Sequence, residues 1–216
     1  MTAADLPVSD GKNGALDKIL AAAELEFSER GFDGAGMKAL ALRAGVSQSL
    51  LHYHFGSKDR LYAAVIRNRS AQINSERLAL LRAADRKASD GLAHVFRALF
   101  APALGPSGGG RAYARIFAGL IAGNERDQAL VRENYDETAK TFIAALQDCL
   151  SGIDALQASH IYLCALGVLA TALARDGRAE QLAERADIEI DKEDLIATLI
   201  CFAVGGARAI QKGEPT

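Results

Sequence analysis

The sequence predicts an all-α protein: a three-helix N-terminal domain holding a helix-turn-helix, then a larger helical domain, about nine helices in all. Three observations carry this. Alanine and leucine recur at helical spacing along nearly the whole chain. Only four prolines interrupt its 216 residues. Runs of β-branched residues, which would favour strands, do not occur.

The elements follow in order. Residues 1–13 are polar and mixed in charge, and read as a disordered arm rather than a signal peptide. A first helix runs from about Gly14 to Arg30, with Leu16, Ile19, Leu20, Ala23 and Phe27 on one stripe, and Gly31 ends it. A short helix from Met37 to Ala44 turns Met37, Leu40, Ala41 and Ala44 inward. Gly45 stops it, and Ser47 is placed to cap the next short helix. After Gly56-Ser57 a long helix runs from Lys58 to about Lys87. Further helices are expected over about Asp90–Leu104, Ala112–Ala122, Asp127–Leu150, Leu156–Arg175 and Lys192–Gln211. The stretch GPSGGG, 105–110, reads as a flexible loop. It lacks the preceding strand and following Gly-Lys-Ser/Thr of a phosphate cradle.

Composition narrows the function. The formal net charge is −2, so any nucleic-acid surface must be local. Cys149, Cys164 and Cys201 lie far apart, without zinc or redox spacing, which fits unpaired thiols in a reducing compartment. The longest uncharged apolar run, Ile161 to Ala174, is short for a membrane span and reads as a buried helix. A soluble, cytoplasmic protein is expected. No catalytic signature, cofactor motif or metal cluster stands out.

The stretch RAGVSQSLLHYHFGSKDRLY, 43–62, carries most of the information. Short helix, glycine turn and short helix make a helix-turn-helix over about 36–55. At 100° per residue, Leu51 and Phe55 fall together and define the buried side. Ser49 and Tyr53 lie opposite, flanked by Leu50 and His52, with Gln48 at the helix start. Hydroxyls, an amide, an imidazole and a phenol suit phosphate oxygens and base edges. A helix N-terminus also favours an anionic phosphate. His52 and His54 are two apart and point to different sides of a helix, which speaks against a shared metal. A purely structural helical hairpin is the plain alternative.

The run ILAAAELEFSERGFDGAGMKALALRAGVSQSLLHYHFGSKDRLYAAV, Ile19 to Val65, resembles the DNA-binding domain of the TetR family of bacterial transcriptional regulators. The matching pieces are ILAAAELEFSERGF, MKALALRAGVS and LLHYHFGSKDRLY, in that order. The resemblance implies phosphate contacts from Tyr53, His54 and Lys58, and groove-facing Gln48 and Ser49. Ser47 would be cap and phosphate donor; Lys38, Leu50 and His52 complete the DNA-facing set. Three positions depart from the family pattern. Ala35 and Gly36 stand where hydroxyl residues are usual, Leu50 replaces a small or hydroxyl residue, and His52 replaces a common tyrosine.

The resemblance divides the chain into a DNA-binding domain, 14–62, and a ligand-binding and dimerisation domain, 63–216. The helix over 156–175 is apolar nearly all round, and the last helix, 192–211, contains LIATLICFAVGGA. Such helices must be covered, and a two-fold pairing of both pairs would make a four-helix bundle. Between the two ends, Phe96, Phe100, Tyr113, Phe117, Phe142 and Tyr162 are the candidate lining of an effector pocket. The implied function is a ligand-responsive, dimeric repressor released from a palindromic operator by a small apolar or amphipathic effector. Two alternatives stay open: a dimeric small-molecule binding protein with weakened DNA binding, and an enzyme using the central cavity.

Overall fold

The computed structural model describes residues 10–121, 123–174, 178–184 and 191–213. They form ten α-helices: α1 (Asp10–Gly34), α2 (Met37–Ala44), α3 (Gln48–Phe55), α4 (Lys58–Ala83), α5 (Gly91–Leu104), α6 (Gly110–Ile121), α7 (Glu125–Cys149), α8 (Ala155–Ala174), α9 (Arg178–Leu182) and α10 (Lys192–Lys212). Among the described residues there is no strand.

The helix ends follow local chemistry. The backbone leaves the helix at Gly31 (φ 66°), the left-handed position expected there, before a last turn reaches Gly34. Asn124 caps α7 by accepting from the Asp127 amide at 3.3 Å. Asp191 caps α10 by accepting from Glu193 and Asp194. Three expectations are corrected. Helix α1 begins at Asp10, inside the expected arm, whose residues 1–9 lie outside the described residues. Helix α4 stops at Ala83, four residues short of Lys87. The GPSGGG stretch is a packed turn: Pro106–Gly108 is a 3-10 helix and Gly108 is buried. A Cβ at Gly108 would sit 1.8 Å from the Ala103 carbonyl oxygen, so only glycine fits that crossing.

The chain divides into two compact units, 1–68 and 69–216, six residues beyond the boundary expected from sequence. In the first unit, Ile19, Ala23 and Phe27 of α1 are buried with Leu40, Leu51, Leu61 and Val65. Phe27, Phe32 and Tyr62 form an aromatic trio with centroid separations of 4.9 to 6.2 Å. The second unit is built on α5, α7, α8 and α10, whose core includes Phe96, Leu99, Phe100, Phe142, Leu146, Ile161 and Leu169.

Helix α8 is twenty residues long and, by length and composition alone, apolar enough to cross a membrane, longer than the 14-residue run seen in the sequence. It packs on α6, α7 and α10. In the single chain one side of it is left uncovered. Leu156, Leu163, Cys164 and Gly167 form an exposed stripe, with Leu163 59% exposed. On α10, Cys201, Phe202, Gly205 and Gly206 are exposed likewise, with Phe202 at 68%.

Candidate nucleic-acid interface and effector cavity

Helix α3 is held so that its polar face points away from the first unit. Leu51 is completely buried and Phe55 half-buried, on the side predicted for both. Ser47 caps the helix by accepting from the Leu50 amide at 3.1 Å. Gly56 ends it with φ 72° and its N–H on the His52 carbonyl. Gln48, Ser49, Leu50, His52, Tyr53 and His54 are all exposed, Tyr53 to 83%. His52 Nδ1 lies 3.0 Å from the Gly56 carbonyl oxygen, so as donor it ties the ring to the helix end. Lys38 on α2 is exposed too. The exposed residues of α2 and α3 therefore offer amide, hydroxyl, imidazole, phenol and ammonium groups.

Lys58 is engaged within the unit. Its ammonium donates to the carbonyl oxygens of Phe32 (2.9 Å) and Asp33 (3.4 Å), and lies 4.4 Å from the Phe32 ring centroid. It ties the end of α1 to the start of α4. Arg43 is committed as well. Its guanidinium forks onto Glu29 and reaches Glu26 Oε2 at 2.9 Å. Arg30 Nε stands 2.9 Å from the other oxygen of the buried Glu26. The Glu29 hydrogen bond pushes the Arg43 guanidinium above its ordinary value. These pairs clamp α2 to α1. The salt dependence of DNA binding separates clamp from contact. Lys38→Met is expected to lower the log–log salt slope by roughly 0.9 per bound protomer, one phosphate's worth, and by roughly 1.8 for a bound dimer. Arg43→Met is expected to leave that slope unchanged while lowering the melting temperature.

The second unit holds a cavity. It is lined by Ile73 and Arg77 of α4, Ala103 of α5, Gly108, Tyr113, Ala114 and Phe117 of α6, Tyr135 of α7, and Leu169 and Leu173 of α8. About 280 Å³ of space free of atoms lies between these residues, open solvent included, and the enclosed part has room for about one water. Of the six aromatics expected to line a pocket, Tyr113 and Phe117 do. Phe96, Phe100, Phe142 and Tyr162 belong to the apolar core instead. They face the α5–α7–α8 contact, where ring area is taken up by helix packing.

The polar groups of the cavity form one cluster. The Tyr113 and Tyr135 hydroxyls are 2.5 Å apart. Burial pushes the Tyr135 phenol up to about 12, against the Tyr113 hydrogen bond and the Arg77 charge. Arg77 is 2% exposed and donates from Nε to the Leu99 carbonyl oxygen at 3.0 Å. Burial pushes its guanidinium down, and the phenols of Tyr162, Tyr135 and Tyr113 pull the other way. A raised tyrosine keeps its proton longer in the native state than in the unfolded chain. Its stabilising share is complete below pH 10 and is lost as pH rises from about 10 to 12. Wild type is expected to lose about 2 kcal/mol more than Tyr135→Phe across that window. Urea unfolding at pH 9.5 and 11.5 measures the difference.

Two family models match the chain. "Bacterial regulatory proteins, tetR family" covers residues 19–65 and "Tetracyclin repressor-like, C-terminal domain" covers 93–206. The HTH-type transcriptional activator FasR of Mycolicibacterium smegmatis is 30% identical over 208 residues, 91% of this chain and 83% of that protein. This chain is a TetR-family transcriptional regulator. A second TetR-type match is local: the HTH-type transcriptional regulator RutR of Escherichia coli is 49% identical over 49 residues, 23% of each chain. The fold is shared with a TetR-like transcriptional regulator from Rhodococcus sp. RHA1, with TM-score 0.65 at 23% identity, covering 94% of this chain and 99% of the other.

In this TetR-family chain the departures from the family pattern have visible consequences. Gly36 stands at the N-cap of α2 and supplies no side-chain cap, while Ala35 is completely buried. Arg77 and Tyr135 were missed in the sequence. A signal existed: Ile66, Ser70, Ile73, Asn74, Arg77 and Leu81 share one buried stripe of α4, and an arginine on such a stripe is out of place.

Proposed function

We propose that this regulator binds a roughly palindromic DNA site as a homodimer, and that a small apolar or amphipathic effector in the second-unit cavity changes its affinity for that site. The observation that carries the DNA reading is the capped helix α3, with Gln48, Ser49, Tyr53 and His54 exposed together on one face. Ser47 through its hydroxyl, and Lys38, Leu50 and His52, complete the proposed contact set. Lys58 joins through its one remaining N–H donor.

The dimer reading rests on the exposed apolar stripes of α8 and α10. Two-fold pairing of both helices buries them and sets two copies of α3 for successive major grooves. The effector reading rests on linkage. A ligand shifts DNA affinity only as far as it prefers one conformation, typically about 1–3 kcal/mol. Helix α4 is the proposed lever, because it starts at the end of α3 and carries Ile73 and Arg77 of the cavity lining. Whether DNA occupancy represses or activates depends on where the site lies relative to the promoter. A repressor is the expectation from the family resemblance, and FasR is named an activator.

The test is selection of bound duplexes from a random library by wild type and Tyr53→Ala. A palindromic motif enriched by wild type and absent with the variant supports the reading. A folded dimer that enriches nothing refutes sequence-specific binding and leaves the small-molecule binding protein. Chemical turnover of a bound ligand would instead make the cavity an enzyme's.

A further inference from the structure

The cavity contains a charge that no carboxylate among the described residues answers. Arg77 is 2% exposed and lines the cavity, yet among the described residues no carboxylate forms an ion pair with it. Its one hydrogen-bond acceptor there is the Leu99 carbonyl oxygen, reached from Nε. A guanidinium stays protonated in proteins and carries five N–H donors. Burying it without a counter-charge is costly, so buried arginines are ordinarily paired. Around it the walls are of two kinds. Ile73, Ala103, Ala114, Phe117, Leu169 and Leu173 are apolar. The hydroxyls of Tyr113 and Tyr135 form the polar remainder.

From this geometry we infer that the cavity binds a small organic monocarboxylate with an apolar body, its carboxylate paired with Arg77 and its body against Phe117, Leu169 and Leu173. The inference rests on the effector reading above and makes its chemistry definite. One fixed positive charge matches one negative charge, and the guanidinium fork matches the two oxygens of a carboxylate. The paired tyrosine hydroxyls supply a donor that a carboxylate oxygen can share. The free space as it stands is about that of one water, so binding a ligand requires the apolar walls to part. A neutral ligand of the same shape would leave the buried charge as it found it and would gain nothing from the pairing.

The probes are phenylacetate and hexanoate, their neutral amides phenylacetamide and hexanamide, hexylamine, and phenyl phosphate. Binding to full-length protein is read by calorimetry and by thermal shift. The expected result is that at least one acid binds about tenfold or more tighter than its own amide, with hexylamine excluded. In Arg77→Met that preference is expected to vanish, while the amide binds within about threefold of its wild-type affinity. The wild-type acid-to-amide ratio decides even where Arg77→Met does not fold. Equal binding of acid and amide, or phenyl phosphate binding where both acids fail, would overturn the carboxylate inference. So would failure of every probe to bind. An amide that binds as tightly as its acid and weakens operator binding would overturn this inference and leave the effector reading standing. Loss of DNA selection in the library experiment would sink the regulator reading whatever the acids do.

Discussion

Replacing Phe202 by glutamate is expected to convert the protein from dimer to monomer and to lower its operator affinity by about a thousandfold or more. Phe202 is exposed on α10, beside Cys201, Gly205 and Gly206, and α10 packs on α8 with its own exposed Leu163 and Gly167. A two-fold interface made from these faces would place Phe202 of each protomer in an apolar contact. Glutamate there would bury two carboxylates per dimer, and each costs several kcal/mol without a partner. The monomer surface changes from apolar to charged, so the single chain should remain folded and soluble. DNA affinity falls because the second half-site is no longer held at high effective concentration. Light scattering gives the mass and a binding titration gives the affinity. The thiols supply an internal check. Cys164 and Cys201 are exposed in the single chain. In the wild-type dimer both should react slowly with a thiol reagent, and in the variant quickly. Cys149, whose thiol burial pushes up, should be slow in both. A variant that stays dimeric with fast Cys201 would move the interface elsewhere.

The two units were legible in the sequence to different depths, for a physical reason. The first unit is short-range. Its helices are punctuated by Gly31, Gly45 and Gly56, all at positive φ, and its recognition face is set by the position of Leu51 and Phe55 on one eight-residue helix. Local periodicity and capping chemistry are enough to place such a face. What periodicity could not show was that Arg43 and Lys58 have partners within the unit. The partners are Glu26, Glu29 and the end of α1, at sequence separations of 14 to 26 for the hydrogen bonds. In the second unit the same limit is felt more strongly. Aromatic residues mark both cores and pockets, and the choice between them depends on which helices touch. Phe96 and Phe100 stack on each other with centroids 5.9 Å apart, inside helix packing. The cavity was drawn by residues that sequence gave no reason to group: Ile73, Arg77, Gly108, Tyr135 and Leu173. Arg77 was the one readable exception, since a charge on an otherwise buried stripe asks for a reason.

Phe142→Ala is expected to cost about 3–5 kcal/mol of stability while leaving the ligand preference of the cavity intact. Phe142 is fully buried on α7, with the Tyr162 ring 6.3 Å away, and it takes no part in lining the cavity. Truncation removes the transfer free energy of a whole ring and leaves a void between α7 and α8 that rigid helices close only in part. Against a typical total of about 5–15 kcal/mol, that loss takes the second unit close to unfolding at physiological temperature. Phe117→Leu provides the contrast. Phe117 lines the cavity, with its ring 5.6 Å from Tyr135. Exchange for a smaller apolar residue should cost about 1–2 kcal/mol and change which ligand bodies fit. Denaturant unfolding and ligand titration on the two variants separate core from cavity. Should Phe142→Ala change ligand preference as much as Phe117→Leu does, the boundary between core and cavity drawn here would be wrong, and the ligand site would extend along α7 toward Tyr162.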